Sequence, residues 1–140
     1  MVICKEEFIN SFINIAIQHG ETLDNAGIGM SEEEYSKVLS KRNKTAKLLE
    51  NYSDFLSTDL DFARETLDLL IGNENIYVKF ATTGLLWEYD YRIIDCYKLF
   101  EEIIANTDKA HGLLRLVAKT NYLAIKSGRL KKRKQFPKLQ

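Results

Sequence analysis

One proline in 140 residues, and that one at position 137, is the feature that most limits what this chain can become. Proline removes a backbone donor and collides with the preceding helical turn, so a chain almost without it can be helical nearly throughout. Apolar residues recur at three- and four-residue spacing in segment after segment, the mark of a helix with one face turned inward. No stretch alternates with period two for long enough to form a strand. The fold class read from this pattern is all-α, in about six helices.

The first segment, about 3–19, repeats Phe8, Phe12, Ile15 and Ile9, Ile13, Ala16. "GETLDNAGIGM" is then read as a break, with Gly27 and Gly29 bracketing a flexible link. Ser31 and Glu34 have the spacing of a capping box, and a helix of about 32–52 should follow, its inner face Tyr35, Val38, Leu39, Ala46 and Leu49. Its polar middle, "SKRNK", places it on the outside. A third segment, about 59–71, carries Leu60, Ala63, Leu67 and Leu70, with Asp59 and Asp61 at its start and Gly72 after its end.

The fourth segment, about 75–89, carries two stripes: Val78, Ala81, Leu85 and Phe80, Gly84, Trp87. Apolar residues on two sides predict packing on two sides; Gly84 is read as a place where a neighbour comes close. The fifth, about 91–105, presents Ile93, Tyr97, Phe100 and Ile104. The sixth, about 109–127, presents Leu113, Val117, Asn121 and Ala124, widened by Leu114 and Ile125, with Thr107 or Asp108 to cap it and Gly128 to end it. Short links make the later helices antiparallel neighbours, and stacked pairs would give an α-solenoid with 75–89 as the inner helix of a central layer.

Charge divides the chain into a body, 1–130, and a basic tail, 131–140. From Gly128 onward there are six basic residues, Arg129, Lys131, Lys132, Arg133, Lys134 and Lys138, and no acid. Residues 1–127 hold the other 14 bases against 20 acids, a formal −6. The tail attracts phosphate but the body repels it, and Phe136 alone supplies no stacking platform, so nucleic acid is not the expected partner. No segment suits a membrane span or a secretion signal. Cys4 and Cys96 have no partner at metal or redox spacing and are read as reduced thiols in the cytoplasm.

"LLIGNENIYVKFATTGLL" resembles the core of a HEAT-type repeat: a polar turn, Val78–Lys79, the small Ala81, then Leu85–Leu86. Thr82–Thr83 depart from that pattern, where small apolar residues are usual. "HGLLRLVAKTNYLAIKSGRL", with Lys126, Gly128, Arg129 and Leu130, is similar to the closing helix of a family of small uncharacterised bacterial HEAT-like domains. The resemblance covers about 60–130 and implies a HEAT-like α-solenoid. Because similar proteins are often encoded beside polymorphic toxins, it also implies an immunity protein that inhibits a toxin domain, as in contact-dependent inhibition systems.

Chemistry-bearing residues do not converge in the sequence. His19 and His111 lie near the ends of different helices without a same-face carboxylate or cysteine; "SEEEY" is a helix start favoured by the dipole. No catalytic residue, metal site, cofactor or small-molecule substrate is expected. What stands out is the turn between the fourth and fifth helices, where Trp87, Glu88, Tyr89, Asp90 and Tyr91 cluster, with Asp95 one turn on. The plainer account is a core tryptophan beside solvated acids. The functional account is a partner-binding face of aromatic anchors and carboxylates suited to a basic surface, such as a nuclease toxin. A helical scaffold or adaptor is the alternative within the same class.

Overall fold

The computed structural model describes residues 4–25, 29–133 and 135–139; Gly27 and Lys134 lie outside them. The described residues form six α-helices, one short 3-10 turn and no strand: α1 Lys5–Asp24, α2 Glu32–Leu56, α3 Leu60–Ile71, α4 Ile76–Glu88, α5 Ile93–Ala105 and α6 Gly112–Lys126, the last preceded by the turn Lys109–His111. Three of the six α-helix starts are fixed by a side-chain cap. Ser31 accepts from the Glu34 amide at 3.1 Å, Asp59 from Phe62 at 3.1 Å, and Asn75 from Tyr77 and Val78 at 2.9 and 3.3 Å. Each such cap satisfies a backbone donor that the helix itself leaves open.

The all-α reading holds. A solenoid is not established, because α1 touches α2, α3, α4 and also α6. Helix α4 does sit between neighbours, meeting α1, α3 and α5. Phe8, Phe12 and Ala16 of α1 are buried against Leu56 of α2, Ala63, Leu67 and Leu70 of α3, and Val78 and Leu86 of α4. Phe8 packs edge-on against Phe62 at 5.1 Å and Tyr52 at 5.2 Å.

Four expectations need correction. Helix α1 does not stop at "HG" but runs on to Asp24. Gly20 is there for space: a Cβ on it would lie 2.2 Å from Cδ1 of Tyr77, whose ring presses on α1. Gly84, read as the site of close approach, has nothing within 4 Å of where its Cβ would be. In α6 the buried pair is Leu114 and Ala118, with Tyr122 and Ile125 packed beside them, whereas Leu113 faces outward with Leu116 and Leu123. Tyr35 of α2 is likewise exposed rather than inward.

Buried threonines account for the departure at Thr82–Thr83. Both side chains turn back on their own helix, Thr82 donating to the Val78 carbonyl at 2.7 Å and Thr83 to that of Phe80. A buried hydroxyl satisfied in this way occupies a small core position at little cost.

Candidate functional site

The α4–α5 turn is a backbone device before it is a surface. Helix α4 ends with the amide of Asp90 donating to the Trp87 carbonyl at 3.2 Å and that of Tyr91 to Leu86 at 2.9 Å. This is the paired closure of a Schellman motif, which places the residue after the cap in the left-handed region and favours glycine there. Here that residue is Asp90, at φ 50°; Arg92, at φ 48°, is left-handed too. Arg92 ties the turn down by donating to Asp95 at 2.9 Å and Asp68 at 3.0 Å.

The basic tail lies on this turn. Gly128, at φ 74°, ends α6 through the same paired closure, its amide reaching Ile125 and that of Arg129 reaching Ala124. Beyond it Arg133 donates to Asp54 at 3.2 Å and to Glu88 at 3.5 Å. Phe136 is buried against the Tyr89 ring at 4.7 Å, and Lys138 stands 3.6 Å from Asp90. Leu139 is buried as well, its carbonyl accepting from Arg64 Nε at 2.7 Å. Exposed ion pairs of this kind contribute about 0–1 kcal/mol each, whereas burying a Phe or Leu side chain contributes about 1.5–3 kcal/mol. The tail is therefore held mainly by Phe136 and Leu139, with charge setting its register.

The expected partner-binding residues are brought together on one face, but largely within the chain's own contacts. Tyr89 is buried, its hydroxyl donating to the Ser53 carbonyl; burial first, then the nearby Glu88 and Asp54 carboxylates, pushes that hydroxyl up to about 12. Glu88 is half-buried and accepts from Ser53 at 3.0 Å. Burial raises its carboxyl above the ordinary value despite the opposing Ser53 hydrogen bond and Arg133 charge. Trp87 is partly exposed with the Lys132 ammonium over its ring at 5.6 Å. Tyr91 donates to Asp68 at 2.8 Å, and Asp95 accepts from Arg92.

Beside the start of the tail runs an open groove of about 400 Å³, lined by residues of α1, α2, α4, α5 and α6 and by Leu130, Lys131 and Arg133. The second stripe of α4, Phe80, Gly84 and Trp87, lines it, with Phe80 and Trp87 also packed against the core. His19 lines it from α1. The Nδ1 of that ring lies 2.9 Å from the Thr45 hydroxyl, which stands 2.9 Å from the Lys41 carbonyl and donates there. A hydroxyl donating to a carbonyl accepts from the imidazole, so Nδ1 carries the hydrogen. Burial, then the Arg42 charge, lowers the pKa of His19, outweighing the nearby Arg42 carbonyl, so the ring is neutral at pH 7.

The second histidine has a partner that sequence spacing did not show. Asp24, at the end of α1, accepts from His111 Nδ1 at 2.8 Å, from the Tyr77 hydroxyl at 2.9 Å and from the Leu114 amide at 2.9 Å. One carboxylate thus ties α4 and the start of α6 to α1. The Tyr77 ring stands edge-on to His111 at 5.2 Å, and among the described residues no group of three or more His, Cys, Asp or Glu is placed to hold a metal ion. Cys96 is buried, donates to the Thr83 carbonyl at 3.4 Å, and has its thiol pushed up to about 12 by burial; Cys4 is exposed.

The geometry thus describes an all-helical domain with a strapped acidic–aromatic face beside a lined groove. No protein-family model, no curated protein and no solved structure matches this chain. Among the described residues no helix is long and apolar enough to cross a membrane.

Proposed function

We propose that this chain is a binding protein of the immunity type, which neutralises a basic bacterial toxin domain, a nuclease being the best fit, by covering its active cleft. The observation supporting this reading is that the α4–α5 face already holds a basic, aromatic-bearing segment. Arg133 meets Asp54 and Glu88, Phe136 meets Tyr89, and Lys138 meets Asp90. A nuclease surface offers the same chemistry, because it must bind an anionic substrate. Tyr89 serves the fold rather than the partner; Trp87, Glu88, Asp90 and Tyr91 remain partly accessible. In this reading the tail stands in for the partner until it arrives, and the two exchange.

The test is association with the product of the neighbouring upstream gene, followed against salt, with Glu88→Lys plus Asp90→Lys as the altered face. Tight binding that slows with salt and fails in the double variant supports the reading. A rate indifferent to salt, with affinity unchanged by both reversals, removes the acidic-face mechanism. A partner encoded elsewhere and seated on Leu113, Leu116 and Leu123, exposed on one side of α6, would favour the scaffold reading instead.

A further inference from the structure

The groove raises a question independent of any protein partner: why does part of an apolar stripe on the inner helix line an unfilled groove? Phe80, Gly84 and Trp87 face a volume of about 400 Å³, within the range of small-molecule sites and far larger than a packing defect. Position 84 sharpens the point. Glycine in a helix interior is less favourable than alanine, and no neighbour requires it here, since nothing lies within 4 Å of the missing Cβ. What glycine does at 84 is keep the groove wide between Phe80 and Trp87.

Aliphatic and aromatic side chains make up most of the lining, and several of its polar groups are engaged within the protein, Glu50 by Lys47 and Thr83 by the Phe80 carbonyl, which leaves His19, Asn121 and Lys131 to face a ligand. His19, neutral and with Nδ1 committed to Thr45, has Nε2 left as its acceptor. At the other end Glu88 is engaged by Ser53 and Arg133. A mostly apolar lining in which His19 offers an acceptor favours a largely apolar body carrying a hydrogen-bond donor. The sequence reading expected no small molecule; the groove is a product of packing that spacing did not reveal.

We infer that this groove is a binding site for a small, largely apolar molecule that donates a hydrogen bond to His19, with Leu130, Lys131 and Arg133 forming part of its wall. The probe N-phenyl-1-naphthylamine has this chemistry, an N–H donor on an aromatic body, and it fluoresces on leaving water. Titration into the full-length protein should give saturable one-to-one binding. The N-methylated counterpart, lacking the donor, should bind about fivefold more weakly, as expected for the loss of one hydrogen bond. His19→Leu should bind both probes equally. Gly84→Leu should abolish binding while circular dichroism stays helical; Ala81→Phe obstructs the same groove should that variant not fold. No saturable binding to the wild-type chain, equal affinity for both probes, or undiminished binding in a folded obstructing variant each overturns the assignment. None of these results bears on toxin binding, so the two proposals fail separately.

Discussion

Two glycines in this fold should respond to alanine in opposite directions. At Gly84, inside α4, a Cβ meets nothing within 4 Å, so the added methyl causes no clash. The gain is the helix-propensity difference, about 1 kcal/mol. For a chain of this length that corresponds to about 3 °C in melting temperature, taking the usual unfolding entropy per residue. At Gly20, inside α1, the same methyl lies 2.2 Å from Cδ1, 2.5 Å from Cγ and 2.7 Å from Cβ of Tyr77. Those atoms are close to the α4 backbone, so relief requires shifting the helix or the ring, and with it the hydroxyl that reaches Asp24. Overpacking of this kind costs about 1–3 kcal/mol; set against a propensity gain of about 1 kcal/mol, a mid-range cost leaves Gly20→Ala about 1 kcal/mol below wild type. Urea unfolding followed by circular dichroism measures both. If Gly84→Ala is no more stable than wild type, or Gly20→Ala is no less stable, the packing described on the two sides of α4 is wrong.

Other outcomes follow from the same geometry. Phe136→Ala should cost about 3 kcal/mol and expose the tail to trypsin at Lys131 and Lys132; unchanged stability and digestion would mean the tail is not docked. Asp90→Gly should stabilise by about 1 kcal/mol by relieving the left-handed residue, which denaturant titration resolves. Ellman's reagent should modify Cys4 promptly and Cys96 only on unfolding; two equally fast thiols would contradict its burial. His19 has a pKa below its unfolded value of 6.5, so from pH 7.5 down to 6 the unfolded state gains protons that the folded ring resists, and stability is lost. Glu88, raised above its unfolded value, acts in the opposite sense. Because that contribution is common to both proteins, His19→Gln should show a smaller loss on acidification than wild type.

The helices were legible because each repeats its apolar residues locally, and Ser31, Asp59 and Gly128 mark ends by their own chemistry. Errors came where the deciding neighbour is remote in sequence. Gly20 looks like a terminator until Tyr77 is placed against it. In α6, Leu113 and Leu114 satisfy the same pattern, and only the contact with the other helices turns Leu114 inward. The α4–α5 cluster was visible as composition, but its occupation by the tail was not, since one phenylalanine and one leucine among lysines resemble a solvated terminus. Asp24 offered no signal at all: its partners Tyr77, His111 and Leu114 lie on other elements.

Asp24 also bears on how the molecule assembles. Its carboxylate joins the end of α1 to an amide 90 residues further along, and α1 borders four of the other five helices. A bundle of sequential neighbours can fold by adding each helix to the last, with small loops to close and correspondingly fast kinetics. Here the earliest of the six helices completes its contacts only when α6 is in place. During synthesis the Phe8–Phe12–Ala16 face can pair early with α2 but stays partly uncovered until α3 and α4 are translated. That interval is when such a surface is open to mispairing with other nascent chains and to capture by chaperones.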